Sequence, residues 1–169
     1  LPVIDEAVRT AGITLADVIN PKDPELAAKW PRRKLLTRFV DLCLAIQFAH
    51  ERDVIHRDIK PANLMLGEHG EAYVLDWGLA RVIGDRRIEG DAATPTADEP
   101  DATQAGELMG TPGYMSPEQA RGDAVDGRTD VFALGCVLFE MLTGTHALPR
   151  GLAGIQATLD VETLIPSDR

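Results

Sequence analysis

Apolar residues return every three or four positions between residue 31 and about residue 52. Leu35, Phe39, Leu42, Ile46 and Ala49 form one stripe, and Leu36, Val40, Cys43 and Leu44 widen it. That period predicts an amphipathic helix buried along a broad face. Pro31 suits its first turn, where a missing N–H costs nothing. Two short apolar runs, residues 63–66 and 72–75, flank Gly67-Glu68-His69-Gly70 and predict a β-hairpin. Ser116-Pro117-Glu118-Gln119 has the form of a helix start, with serine as cap, proline first and glutamine three residues after the serine. A second buried helix is predicted from about Asp130. Val131, Leu134, Leu138 and Met141 lie on one face, with Phe132, Cys136 and Phe139 around the rest, and Thr143-Gly144 ends it. Beyond that the pattern weakens, and at most a short helix is expected near residues 153–159.

Between residues 85 and 107 the pattern lapses. Seven acids (Asp85, Glu89, Asp91, Asp98, Glu99, Asp101, Glu107) stand against Arg86 and Arg87, so half of the net charge of −10 falls here. Such a stretch buries too little surface to offset its ordering entropy. It is expected as a flexible acidic loop, either a solvated insertion or a regulatory one. The rest is ordinary for a globular domain, at 44% hydrophobic and 26% charged overall. The acidic balance argues against nucleic acid and disfavours contact with anionic membranes. No apolar run approaches the roughly 18 residues a bilayer span needs, and the first residues lack a basic-then-apolar signal. Cys43 and Cys136 each sit in an apolar helical pattern, as small hydrophobes rather than a disulfide. A cytoplasmic location is expected, with a longer parent free to be anchored.

Candidate chemistry lies in two blocks. Residues 56–63 read His56-Arg57-Asp58-Ile59-Lys60-Pro61-Ala62-Asn63, and Asp76-Trp77-Gly78 follows. The spacing H-R-D-x-x-x-x-N sets a carboxylate where a substrate hydroxyl can hand over its proton, with an amide oxygen five residues on that can face Mg²⁺. A second acid on the next strand can supply the other metal contact. Placing this loop between a helix and a strand pair gives it the rigid supports that positional catalysis needs. Further on come Gly110-Thr111-Pro112-Gly113-Tyr114-Met115-Ser116-Pro117-Glu118-Gln119-Ala120 and Arg128-Thr129-Asp130-Val131-Phe132-Ala133-Leu134-Gly135-Cys136.

These four blocks, in this order, resemble those of eukaryotic-type serine/threonine protein kinases, the Hanks-type enzymes also found in bacteria. The resemblance implies an α+β protein-kinase-like fold, a mainly helical large lobe with a short β-hairpin. The small lobe is expected to be absent: no G-x-G-x-x-G loop occurs, and none of the four lysines, Lys22, Lys29, Lys34 and Lys60, stands in a V-A-x-K setting. Residues 12–19 resemble the segment just after the hinge between lobes. Residues 1–169 are therefore expected to be a partial kinase domain, running from the hinge region to just after the central helix of the large lobe.

By the same resemblance, Asp58 is the catalytic base, Lys60 a cation beside the transferring phosphoryl group, and Thr111 the bridge between them in serine/threonine enzymes. Asn63 and Asp76 are the implied Mg²⁺ ligands, ATP the implied cofactor, and a protein bearing serine or threonine the implied partner. His56 is implied as a packed scaffold residue. Glu118 normally meets an arginine of a later helix in this family; that helix is not expected in these residues, which leaves Glu118 without that partner. Asp130 is either the N-cap of its helix, an anchor for the catalytic-loop backbone, or both. Arg57 would bury a positive charge unless an anion meets it. That anion is a phosphorylated loop threonine, Thr103 first and Thr94 and Thr96 behind it, or else a nearby carboxylate. Trp77 replaces the commoner Phe, which leaves metal binding by Asp76 intact but puts inward-outward switching of the triplet in question.

Each residue alone has a blander use: Asp58 and Asn63 as turn formers, Lys60 as a surface lysine. The ordered set favours transfer of the ATP γ-phosphoryl group to a protein hydroxyl, with the isolated 169 residues inactive. The alternatives are a pseudokinase or docking module, which has no physical need for the charge cluster. More distant is a small-molecule phosphotransferase, in which the Ser-Pro-Glu block is not usual.

Overall fold

The computed structural model describes residues 12–67, 70–82 and 109–163. The acidic stretch 85–107 with Thr94, Thr96 and Thr103, and the hairpin-turn residues Glu68 and His69, lie outside them. The architecture is α+β. Strand β1 (Ile13–Thr14) leads into α1 (Leu15–Ile19), α2 (Pro24–Lys29) and the long α3 (Arg32–His50). Next come β2 (Val54–Ile55), a 3₁₀ turn (Pro61–Asn63), β3 (Leu64–Leu66), β4 (Ala72–Val74), a second 3₁₀ turn (Trp77–Leu79) and β5 (Arg81–Val82). The helices α4 (Pro117–Arg121), α5 (Gly127–Thr143) and α6 (Leu152–Thr163) follow.

Helix α3 buries Leu35, Phe39, Leu42, Ile46 and Ala49, the stripe its 3.6-residue period marks out. The wider face does not close, because Val40 and Leu44 are exposed. On α5 the buried stripe is Thr129, Asp130, Ala133, Leu134, Cys136, Val137, Glu140 and Met141. Val131 and Phe139, expected inside, are exposed. The cause is polar: Asp130 and Glu140 hold buried hydrogen bonds, so they take core positions that an apolar pattern cannot assign. Helix α5 also starts earlier than expected. Asp126 caps it by accepting from Arg128 N, which makes Asp130 a first-turn residue and not the N-cap. Gly144, in the left-handed region at φ 73°, ends it. Helix α6 is longer than the expected short segment, at 12 residues.

The hairpin pairs β3 with β4 in antiparallel register, Leu64 opposite Val74 and Leu66 opposite Ala72. Strand β1 adds to its other edge, with Ile13 opposite Leu66. A separate pair joins β2 to β5, Val54 opposite Val82. Arg38 of α3 donates to the Gly70 carbonyl and fastens the hairpin to that helix. Helix α3 packs against α5, β2 and β4, while α4 packs against α6. Leu42, Leu64 and Val137, all fully buried, lie in one core with Ile46, Ile59 and Met141. Burying each such side chain is worth about 1.5–3 kcal/mol, and this core is the platform on which the loop after β2 is built.

Candidate active site

The chain leaves β2 through His56 and Arg57, and Arg57 adopts φ 68°. A non-glycine residue in the left-handed region persists only where its surroundings over-determine it. Asp130, 1% exposed on α5, does this. Its Oδ2 accepts from His56 N at 2.9 Å, and its Oδ1 accepts from Arg57 N at 2.9 Å. His50, in the last turn of α3, brings Nε2 to 2.7 Å from the same Oδ2. Both carboxylate oxygens are thus occupied, and the backbone leading into Asp58 is fixed.

Asp58 is 8% exposed and surrounded by donors. Lys60 Nζ lies 2.7 Å from its Oδ2, and Thr111 Oγ1 donates to its Oδ1 at 2.7 Å. Lys60 Nζ also donates to Thr111 Oγ1 at 2.8 Å, which closes a three-membered ring. Asn63 Nδ2 donates to the Asp58 carbonyl at 2.9 Å and to Oδ2 at 3.2 Å. The amide nitrogen of Asn63 is thereby committed to Asp58.

A backbone bond sets the strand that leads to Asp76 beside Asn63. Leu75 N donates to the Asn63 carbonyl at 2.8 Å, so Asp76 follows the very residue tied to Asn63. His56, fully buried, spans loop and strand. Its Nδ1 accepts from Asp58 N at 3.3 Å, and its Nε2 donates to the Leu75 carbonyl at 2.9 Å, which puts the ring proton on Nε2. The Trp77 ring leans over His56 at a centroid distance of 4.7 Å, and its Nε1 donates to the Val74 carbonyl at 3.0 Å. Asp76 itself is left-handed, at φ 63°. A Cβ on Gly78 would lie 3.3 Å from Asp76 Oδ1.

The guanidinium of Arg57 donates through Nε to the Leu79 carbonyl at 2.5 Å and reaches toward Met109 Sδ. Burial, then the neighbouring Arg81, holds its pKa below the usual arginine value, against the opposing pull of Asp130. Among the described residues no carboxylate forms an ion pair with it. The threonines expected as phosphorylated partners lie outside the described residues.

The segment returning at Met109 is tied to the helices that follow it. In the capping box of α4, Ser116 N donates to Gln119 Oε1 at 3.1 Å and Gln119 N to Ser116 Oγ at 3.4 Å. Glu118 Oε1 accepts from Thr129 Oγ1 at 2.6 Å, so a hydroxyl of α5 meets the carboxylate expected to lack its usual arginine. Tyr114, one turn after Thr111, donates to Glu140 Oε2 at 2.5 Å, and His146 Nδ1 lies 3.1 Å from Glu140 Oε1. Burial and the Glu140 carboxylate push the Tyr114 hydroxyl well above its ordinary pKa. Cys43 and Cys136 are both free thiols, and burial followed by Glu140 pushes Cys136 up to about 11.

Of the residues expected from sequence, Asp58, Lys60, Thr111 and Asn63 meet in direct contact, while His56 and Asp130 support them from beneath. Glu118 stands apart, against α5. Sequence reasoning passed over His50, Tyr114 and Glu140. The available signal was an acid, Glu140, recurring at core spacing with Ala133, Cys136 and Val137 in an otherwise apolar helix. Among the described residues no three His, Cys, Asp or Glu side chains gather as a metal cage, and no helix is long and apolar enough to cross a membrane.

The family described as "Protein kinase domain" matches residues 10–164. The chain is 43% identical over 133 residues to "Serine/threonine-protein kinase PknB" of Mycobacterium tuberculosis (strain ATCC 25618 / H37Rv), covering 79% of this chain and 18% of that protein. It is 41% identical to the protein of that name in Mycobacterium leprae (strain TN), with the same coverage. It is 39% identical over 121 residues to "Serine/threonine-protein kinase PknD" of Protochlamydia amoebophila (strain UWE25), covering 69% of this chain and 12% of that protein. The chain therefore spans less than a fifth of the length of these curated relatives.

Proposed function

The chain belongs to the protein kinase family, and from that premise we propose that it carries the phosphoryl-transfer machinery of a bacterial Hanks-type serine/threonine protein kinase. The reaction is transfer of the ATP γ-phosphoryl group to a serine or threonine hydroxyl of a protein. The observation that carries this reading is the closed ring of Asp58, Lys60 and Thr111, with distances of 2.7–2.8 Å. Three donors fix the orientation of one carboxylate, so a hydroxyl entering the cleft meets an acceptor already aimed at it. Lys60 holds a positive charge beside that acceptor, where negative charge develops on the transferring group.

The donor set fits a hard divalent ion. With its nitrogen committed to Asp58, Asn63 has only its carbonyl oxygen left for a cation, and Asp76 adds a carboxylate. Mg²⁺ is commonly held by one or two carboxylates plus substrate phosphates, so no three-acid cage is needed. Asn63 and Asp76 would hold Mg²⁺, which when bound neutralises charge on the ATP phosphates.

Residues 1–169 are read as part of a larger kinase domain, residues 85–107 as its acidic activation-loop insertion, and the cytoplasm as its location. Support for a covering lobe comes from an open apolar cavity of about 670 Å³ between α3 and β4, lined by Phe48, Tyr73 and Trp77 among others. The isolated 169 residues are expected to turn over negligible ATP. Phosphorylation of Thr103, Thr94 or Thr96 would supply the anion for Arg57 and raise activity; active protein found unphosphorylated by mass spectrometry would refute that regulation. The assignment of Asp58 is tested by Asp58→Asn in the full-length protein. Phosphate incorporation is expected to fall by about a hundredfold or more with the fold kept, and retained turnover would overturn the assignment.

A further inference from the structure

We propose that Gln119 is a positioning residue for phosphoryl transfer, its side-chain amide clasping the backbone of Arg57 to that of Met109 and so holding Thr111 over Asp58. The inference rests on the kinase reading above. Gln119 is 7% exposed, and every polar atom of its amide is used. Nε2 donates to the Arg57 carbonyl at 2.7 Å and to the Met109 carbonyl at 3.2 Å, while Oε1 accepts from Ser116 N. The reverse amide orientation would set an oxygen against two carbonyls, so the hydrogen-bond partners fix the assignment.

Position gives these bonds their consequence. Arg57 precedes Asp58, and Met109 stands two residues before Thr111, so the clasp joins the two chains whose side chains meet at 2.7 Å. Arg57, left-handed at φ 68°, is then pinned on both sides: Asp130 takes its N–H and Gln119 its carbonyl. Gly110 lets the chains come this close. It has φ 125°, and a Cβ there would lie 3.1 Å from Gln119 Nε2 and 3.3 Å from the Arg57 carbonyl oxygen. A helix cap alone explains none of this. The capping box uses only Oε1, and a glutamate at that position caps equally well with a more favourable charge for the helix N-terminus. The amide is required by the two carbonyls.

Gln119→Glu separates the roles, because it keeps the cap acceptor and loses both donors. In the full-length protein, kcat is expected to fall about tenfold at pH 8 with KM for ATP changed less than twofold. The activity ratio of variant to wild type should rise at least threefold on going to pH 6, because a protonated carboxyl regains one donor. Gln119→Met, which loses clasp and cap together, should show the loss in kcat without the recovery. Gly110→Ala, which presses on the clasp without altering charge, keeps the test open if Gln119→Glu does not fold, and should also lower kcat. Hydrogen exchange at the Arg57, Asp58, Tyr114 and Met115 amides should quicken in each variant. Wild-type kcat in Gln119→Glu, a ratio flat with pH, or unchanged exchange would overturn the proposal. If the wild-type protein transfers no phosphate the kinase reading fails instead, and the clasp stands or falls on exchange alone.

Discussion

The loop around Asp58 and the face built by Phe48, Tyr73 and Trp77 are finished to opposite degrees. In the loop, Asp58 takes donors from Lys60, Thr111 and Asn63, and the backbone beneath is held by Asp130. On the face, Phe48, Tyr73 and Trp77 are 58%, 44% and 39% exposed around an open apolar cavity. The energetics explain the asymmetry. Each buried polar group left unpaired costs about 1–3 kcal/mol, so a polar network has to be closed by residues folded with it. Apolar surface left in water costs only about 25 cal/mol per Å² and can wait for a covering element. On the proposed function, these residues carry the proton-accepting and metal-holding half of the site, and the half that covers ATP comes from elsewhere in the protein.

Breaking the closed region should have the larger effects. Asp130→Ala strands the His56 and Arg57 amides and frees Arg57 from its left-handed geometry. It should cost about 3 kcal/mol, read from the urea midpoint, and remove most activity of the full-length protein. Tyr114→Phe deletes a buried bond to a charged group and should cost about 1.5–3 kcal/mol near neutral pH. It also sharpens the comparison through pH. Folding raises the hydroxyl pKa of Tyr114, so the stability it contributes is complete below the ordinary tyrosine value near pH 10 and drains away as pH rises above it. Melting curves of Tyr114→Phe should therefore decline less steeply than those of the wild type above about pH 10.

A smaller change is expected from Ser116→Ala, about 1 kcal/mol from the lost cap of α4, seen as a shift in urea midpoint. On the open face, Phe48→Ser should alter the stability of the isolated 169 residues by only about 0.5 kcal/mol or less. It should also reduce their binding of a hydrophobic dye. A large destabilisation there would mean that the face is already closed.

What could be read beforehand follows the same divide. Periodicity marked the buried stripe of α3 from Leu35 to Ala49, and spacing marked the ring of Asp58, Lys60 and Thr111 through a family resemblance. Val40 and Leu44 were misjudged because an apolar residue alone does not show what covers it, and Val131 and Phe139 because Asp130 and Glu140 take core positions on the same helix. Asp130 stands where the apolar run begins and so offers itself as a cap, but the helix opens three residues earlier, and the hydrogen bond from Arg128 N gives the cap to Asp126. The two-residue strands β1, β2 and β5 are too short to show any period. His50 meets Asp130 across 80 residues, Gln119 meets Arg57 across 62 and Tyr114 meets Glu140 across 26, and such pairings leave no local signature.

The account turns on Asn63 and Asp76 facing one cation beside Asp58. Paramagnetic relaxation in the full-length protein loaded with ATP and Mn²⁺ tests it directly. Signals of Asn63, Asp76 and Asp58 should broaden together, and the broadening should vanish when Mg²⁺ displaces Mn²⁺. Broadening confined to other residues, with these three unaffected, would contradict it.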